Sequence, residues 1–298
     1  MSARFLVGFD FGGTKLSITV TEPDGATVAS EVLATEVGHG AEQAVRRAIG
    51  SAHRMLEEHG ASAAAVGVAT MGITHEDRVE LAPNVPGWAR LALPTMLRDV
   101  FGPAPVVIKN DVKAAALAEL VWGELRGVRT GIYLNLGTGI AAALIVDGTL
   151  VEGAHGAAGE IGYWARSRAD TAGAAAGHAP LEEYAGGAGA LLRARAELGA
   201  EGGAAALLEA RDAATQDFLD DLYGEIALHA TNLAIALDPE RVVVGGGYAR
   251  TSKDVLHAIR ARLDAFVPYP PQLRRARFGA DAGTAGAVAL AMGALSSR

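Results

Sequence analysis

One plan of residues occurs twice in this chain, and it constrains the fold more than any other feature. The first copy is Phe5-Leu6-Val7-Gly8-Phe9-Asp10-Phe11-Gly12-Gly13-Thr14-Lys15, with alternation continuing through Leu16, Ile18 and Val20. An apolar strand, a carboxylate, a Gly/Thr turn and a second apolar strand predict a β-hairpin, with Gly12 and Gly13 supplying positive φ at the turn. The second copy is Gly131-Ile132-Tyr133-Leu134-Asn135-Leu136-Gly137-Thr138-Gly139-Ile140, with Asn135 where the first has Asp10. Each hairpin runs on to a further turn, Pro23-Asp24-Gly25 in one and Asp147-Gly148 in the other. Two such copies predict two similar lobes facing each other across a cleft. Turns of this kind offer backbone N–H groups and the Thr14 hydroxyl to phosphate oxygens, and Asp10 can hold the cation that travels with phosphate. A plain hairpin with a solvated Asp is the competing reading of the first copy alone.

Composition narrows the class. The chain has 298 residues, enough for two domains of ordinary size. Half of it is apolar and a fifth charged, the balance of a globular protein. The net charge of -8, with no basic cluster, argues against a nucleic-acid-binding surface. No apolar run reaches the length of a membrane span, and the N-terminus lacks a signal-peptide layout. There is no Cys, so disulfides and thiolate metal sites are excluded. A cytoplasmic protein without membrane or nucleic-acid partners is the expectation.

Strands and helices alternate along the chain, which makes the class α/β. Val45, Ile49, Ala52 and Leu56 have helical spacing within 41–59, and Ala65 to Thr70 reads as a buried strand. Leu81 to Trp88 is a Pro-punctuated loop holding Asn84. Val106-Val107-Ile108 is a strand ending in Lys109-Asn110-Asp111, and a helix over 112–125 follows. Glu160 lies in a Gly/Ala-rich stretch, and residues 167–178 have almost no large apolar side chain, so a mobile loop is expected there. A helix starts at Pro180-Leu181-Glu182, a long one covers 218–237, and Gly245-Gly246-Gly247 separates the strand Val242-Val243-Val244 from a helix over 253–266. A small-residue helix, 282–295, closes the chain and is expected to pack back on a sheet.

Two familiar phosphate motifs do not fit. No Gly-Lys-Ser/Thr stands where a Walker loop needs it. Gly137 to Ala142 matches the dinucleotide fingerprint in form, but a strand follows where that motif needs a helix, which disfavours a dehydrogenase. Asp111 is the best candidate for a general base, because it stands at a strand's carboxyl end where open α/β sheets bind ligands. The competing role is a helix N-cap. Asn110 beside it tilts the balance, since an amide and a carboxylate together suit hydroxyl recognition. Glu160, Glu182 and Asn84 add polar groups; each alone is readable as a solvated loop residue, and together they suggest a sugar-binding ring.

With these motifs in order, the chain resembles the ROK family of sugar kinases, within the actin-like ATPase superfamily, over essentially its whole length. The matching stretches are Asp10 to Lys15, Ala82 to Trp88, Asn110 to Ala115, Gly137 to Ile140, Gly156 to Gly162, and Leu237 to Glu240 with Gly245 to Gly247. The resemblance implies a two-lobed actin-like (ribonuclease H-like) fold, with an N-terminal lobe over 1–125 and a C-terminal lobe over 126–298 whose final helix packs back on the N-terminal lobe. It implies ATP and Mg²⁺, with Asp10 holding the metal indirectly. Phosphate and nucleotide contacts would come from Asp10, Gly12, Gly13, Thr14, Lys15, Gly137, Thr138, Gly139, Gly245 and Gly246. Asp111 would be the base, and Asn84, Asn110, Glu160, Tyr163 and Glu182 would hold the sugar. A homodimer is also implied.

Two departures stand out. Tyr163 occupies the place of a family His after Glu-Ile-Gly, and the family's Cys-rich zinc loop is here Cys-free, so no zinc is expected. The reading is an ATP-dependent kinase acting on the C6 hydroxyl of glucose or a related hexose. The alternatives are an amino-sugar kinase of the kanosamine or N-acetylmannosamine type, a polyphosphate-using glucokinase, and a sugar-sensing regulator. The last is disfavoured because the first phosphate motif starts within ten residues of Met1.

Overall fold

The computed structural model describes residues 3–75, 79, 80 and 85–296. Two compact units emerge, one of residues 1–121, 152–157 and 280–298, the other of residues 122–151 and 158–279. The chain therefore returns to the first unit twice, briefly over 152–157 and again with its closing residues 280–298.

The first unit is built on a five-stranded sheet. Strands β1 (Ala3–Phe11) and β2 (Lys15–Thr21) form the expected antiparallel hairpin, with Phe11 opposite Leu16. β3 (Thr27–Ala34) extends the meander, while β4 (Ala61–Thr70) and β7 (Val106–Asn110) add on the other side in parallel, giving the order β3-β2-β1-β4-β7. A small ladder joins β5 (Ile73–Thr74) to β6 (Val79–Glu80). Helix α1 (Ala41–Glu58) buries Val45, Ile49, Ala52 and Leu56 with Val7, Phe9, Ile18 and Trp88, as its spacing requires. α2 (Leu93–Phe101), with Pro94 in its first turn, closes the same core. The last helix, α10 (Ala282–Ser296), lies against β1 and β4. Its small residues are a packing requirement. A Cβ on Gly67 of β4 would stand 1.9 Å from the Ala287 carbonyl oxygen and 2.6 Å from the Ala291 nitrogen, so strand and helix touch backbone to backbone.

The second unit repeats the plan. β8 (Gly131–Leu136) and β9 (Ile140–Val146) are the second hairpin and β10 (Thr149–Leu150) continues it. β11 (Arg241–Gly245) and β12 (Gln272–Arg275) add in parallel, giving the order β10-β9-β8-β11-β12. Three antiparallel strands followed by two parallel ones, in the same order in both sheets, make the sequence echo a structural duplication. Asp147 (φ 51°) and Gly148 (φ 72°) both take the left-handed conformation that a tight two-residue hairpin turn needs. After α5 (Gly187–Leu198) and α6 (Ala204–Glu209), α7 (Ala213–Leu237) starts five residues before the expected 218, because the Asp212 carboxylate accepts the Thr215 N–H at 2.9 Å and caps it there. It packs Leu222, Ile226, Ala230 and Leu233 against the sheet and α9 (Asp254–Phe266).

One local expectation is corrected. Neither Gly12 nor Gly13 has a positive φ. The first hairpin closes instead through the Gly12 N–H donating to Lys15 O at 3.0 Å, and four residues separate Phe11 from Leu16, so the turn has length enough without left-handed backbone. Among the described residues, no helix is long and apolar enough to cross a membrane.

Candidate active site

Asp10 is the last but one residue of β1 and is largely shielded from solvent. Burial pushes its carboxyl above the ordinary carboxylate range; the Lys15 charge and the Thr284 hydroxyl, which donates to Oδ2 at 3.4 Å, pull the other way, and Asp281 adds to the rise. A Cβ on Gly283 would come within 2.5 Å of the Asp10 carboxylate, so the start of α10 is shaped around that group. The neighbouring turn is fixed by Thr35, whose hydroxyl donates to Gly12 O at 2.8 Å and whose N–H donates to Thr14 O at 3.0 Å. A buried carboxylate only partly compensated beside a Gly/Gly/Thr turn fits a cation carried by phosphate. Among the described residues no group of three or more His, Asp or Glu side chains is arranged around a metal ion. Such a cation would therefore rest on Asp10 with phosphate oxygens and water, the usual Mg²⁺ arrangement.

Asn110 ends β7 and Asp111 begins α3 (Asp111–Trp122), one turn earlier at its close than the expected 112–125. The capping role falls to Asn110 and not Asp111. The Asn110 Oδ1 accepts the Lys113 N–H at 2.8 Å, so its amide oxygen is committed to the helix. Asp111 is exposed, with Oδ1 accepting its neighbour Val112 N–H at 2.9 Å. Beside this pair, Trp88 anchors the end of the Pro-rich loop. It is fully buried and its indole N–H donates to the Thr70 hydroxyl at 2.9 Å, at the residue of β4 that pairs with Asn110. Asn84 itself lies outside the described residues.

In the second unit the Gly137-Thr138-Gly139 turn closes through the Gly137 N–H donating to Gly139 O at 3.0 Å. Glu182, expected among the sugar-binding groups, lies on the short helix α4 (Pro180–Ala185) and is tied to this turn. Its Oε2 accepts the Ile140 N–H at 2.9 Å, and a Cβ on Gly139 would stand 2.1 Å from that oxygen. Gly139 is thus required for space, to admit the carboxylate onto the turn. Gly162 makes the same allowance, since its Cβ would meet the Glu182 side chain at 3.1 Å. Glu160 and Tyr163 flank Gly162, and burial followed by the charges of Glu160 and Glu182 pushes the Tyr163 phenol up, so it stays neutral. These three side chains therefore share one electrostatic neighbourhood. Gly246 (φ 86°) begins α8 (Gly246–Thr251), directly after β11 and ahead of α9, a helix the sequence reading passed over. A Cβ there would meet Leu136 O at 2.3 Å, so the Gly-rich strand end abuts the phosphate-type turn.

The segment 167–178, expected to be mobile for want of large apolar side chains, has its own polar ties. The Asp170 carboxylate accepts the N–H groups of Arg166 (2.7 Å) and Ser167 (3.1 Å). The Arg166 and Arg193 guanidiniums lie 3.1 and 3.6 Å from the Tyr184 ring centroid, and Arg166 Nε donates to Glu225 at 2.9 Å. Tyr184 is on α4 with Glu182, so this stack bears on the helix that presents the carboxylate. Composition hid it, because the segment's own residues are small while its partners come from elsewhere. Sequence reasoning also missed Lys109, Lys113 and Glu152, whose only signal was a Lys inside the apolar run Val112-Lys113-Ala114-Ala115-Ala116.

The sequence profile of the ROK family matches residues 6–294. The chain belongs to the ROK family. Over 98% of its length it is 28% identical to a kanosamine kinase of Amycolatopsis mediterranei, covering 97% of that protein. Its structure is similar to a ROK hexokinase from Thermus thermophilus, with a TM-score of 0.85 and 28% identity, covering 99% and 100% of the two chains. It is also similar to a ROK family glucokinase from Streptomyces griseus in complex with glucose and AMPPNP, with a TM-score of 0.77 and 27% identity, covering 96% and 99%. The fold of this ROK protein is the actin-like ATPase fold.

Proposed function

We propose that this ROK protein is an ATP-dependent hexose kinase that phosphorylates the primary C6 hydroxyl. The observation that carries the reading is the Asn110–Asp111 pair, where Asn110 is spent on capping α3 and leaves an exposed carboxylate at the strand end. Asp111 takes the proton of the hydroxyl as its oxygen bonds to the γ-phosphorus; the bond from that phosphorus to the bridging oxygen breaks, and ADP leaves with the electron pair. General-base assistance contributes about 10²–10⁴-fold. The remainder is positioning and charge neutralisation. Lys15 and the turns at Gly12–Thr14 and Gly137–Gly139 hold phosphate oxygens, and Gly245 and Gly246 border the nucleotide. Mg²⁺ at Asp10 would neutralise phosphate charge. Asn84, Asn110, Glu160, Tyr163 and Glu182 orient the sugar. The S. griseus neighbour, with glucose and AMPPNP, supports this assignment of sugar and nucleotide. We place the protein in the cytoplasm, as a homodimer without zinc.

A second reading changes the sugar. Tyr163 is neutral where two carboxylates, Glu160 and Glu182, act on it, and that neighbourhood favours an acceptor carrying an ammonium group. The kanosamine kinase relative supports an aminohexose on the same grounds. A panel of hexoses and aminohexoses assayed with ATP, and with polyphosphate in parallel, separates the readings. With the best acceptor, Asp111→Asn should reduce turnover at least a hundredfold while sugar binding stays measurable. A variant retaining more than about a tenth of the wild-type rate would refute the base assignment.

A further inference from the structure

Lys113 is a charged side chain with a place in neither the phosphate turns nor the proposed sugar ring, yet it is among the most buried in the protein. Only 2% of its side chain is exposed, although it stands two residues after Asp111 at the start of α3. Its ammonium has three acceptors: Gly156 O at 2.5 Å, Glu152 O at 3.2 Å and Glu152 Oε2 at 3.2 Å. Three donors meet three acceptors, so the group is saturated. Lys109, at the end of β7, holds the other Glu152 oxygen at 2.9 Å. Burial alone would raise the Glu152 carboxyl, but the Lys109 hydrogen bond and the charges of both lysines hold it below the ordinary range.

All three acceptors belong to residues 152–157, the short return of the chain into the first unit. Two of them are backbone carbonyls, so the contact fixes main chain as well as a side chain. Gly156 (φ 73°) is pressed there, as its Cβ would meet Thr74 O at 3.1 Å. Three residues on, Gly159 O accepts the Ala142 N–H of β9 at 2.8 Å, and a Cβ on Gly159 would stand 1.9 Å from Ala142 O. The stretch that delivers Glu160 and Tyr163 is therefore pinned at one end by Lys113 and at the other by β9.

We propose that Lys113 is a positioning residue for sugar binding, holding the 152–157 segment from which the chain runs directly on to Glu160 and Tyr163. The inference rests on the hexose-kinase reading. A purely structural staple would cost stability and change both substrates alike. A positioning residue acts on the acceptor sugar, because the chain it holds leads to the sugar groups and not to either phosphate turn.

The test compares wild type, Lys113→Met and Glu152→Lys. Glu152 is 39% exposed, so the second variant tolerates folding while placing a third cation against Lys109 and Lys113. Steady-state kinetics use the best acceptor of the panel, and hydrogen exchange of the sugar-free proteins follows the amides of 153–160. Lys113→Met should raise the sugar KM about tenfold or more, leave the ATP KM within twofold, and speed exchange at 153–160. Glu152→Lys should shift the sugar KM in the same direction by at least threefold. A sugar KM within twofold of wild type in either variant overturns the proposal, as does a parallel rise of both KM values with a lowered melting temperature. Unchanged exchange at 153–160 in Lys113→Met also overturns it. If wild type transfers phosphate to no sugar, the kinase reading fails on its own, and the exchange result still decides whether Lys113 holds the segment.

Discussion

Gly139→Ala is a one-methyl test of whether Glu182 couples the sugar side of the second unit to its phosphate-type turn. The added Cβ would stand 2.1 Å from Glu182 Oε2 and 2.8 Å from Cδ, where ordinary contact starts at 3.4 Å. Gly139 has no positive φ, so alanine brings no backbone strain of its own. The clash is with the end of a side chain, and the carboxylate must retreat by roughly 1.3 Å. That distance breaks its 2.9 Å bond from the Ile140 N–H. Hydrogen bonds to charged groups contribute about 1.5–3 kcal/mol, so the variant should lose about 10- to 150-fold in kcat/KM. On a chain of this size the same loss lowers the melting temperature by roughly 2–5 °C. On the proposed reading the displaced carboxylate serves both sugar and turn, so the KM values for sugar and for ATP should rise together. Glu182→Gln is the companion, keeping an acceptor for Ile140 but losing the charge, so it should affect the sugar KM more than the ATP KM. A Gly139→Ala enzyme with kcat/KM within threefold of wild type and an unchanged ATP KM would refute the coupling.

Asp10→Asn should abolish turnover yet raise the melting temperature of the metal-free protein at pH 7. Burial raises the folded pKa of Asp10, so its contribution to stability is present below the ordinary 3.8 and is lost as pH rises through the folded value; a lower melting temperature at pH 7, or a gain that persists at pH 3, contradicts this. Gly67→Ala should be severe, since its Cβ would meet the α10 backbone at 1.9 Å, whereas Gly8→Ala meets Val288 Cγ2 at 3.1 Å and should be mild. Overpacking of the first kind costs about 1–3 kcal/mol or more, and equal melting temperatures for the two variants would show that α10 is not seated as described. Dialysed protein should carry no stoichiometric zinc by elemental analysis, and a zinc-selective chelator should leave its melting temperature unchanged; bound zinc at one per chain contradicts the reading.

The elements legible in the sequence are those whose signal is local. The two hairpins, the helix with Val45, Ile49, Ala52 and Leu56 on one side, and the Asp147-Gly148 turn each announce themselves within a dozen residues, because periodicity and turn chemistry act at that range. Asn110's capping of α3 was harder to see, since Asn and Asp are near-equal caps and the geometry alone decides which one bonds the Lys113 N–H. The contacts of Glu182, Lys113 and Tyr184 were invisible for another reason. Their partners lie 42, 43 and 37 residues away in sequence, at Ile140, Gly156 and Asp221, and no spacing rule links such positions.

The duplication also explains why its two copies are not interchangeable. Asp10 and Asn135 hold the same place, one residue before the end of the hairpin's first strand, and each pairs with the neighbouring parallel strand, at Ala69 of β4 and Gly245 of β11. A carboxylate beside a phosphate-type turn repels its ligand unless a cation stands between them, whereas an amide donates to it directly. Around Asp10 the fold provides what a cation needs, a buried carboxylate left partly uncompensated and a glycine in α10 that gives it room. Asn135 lies close on its own turn, since a Cβ on Gly137 would meet the Asn135 Nδ2 at 3.3 Å. On the proposed reading the first copy handles the metal-bearing phosphate and the second its neighbour by neutral donors. Asn135→Asp should then weaken ATP without weakening sugar, because it replaces a neutral donor with a negative charge beside the phosphate-type turn.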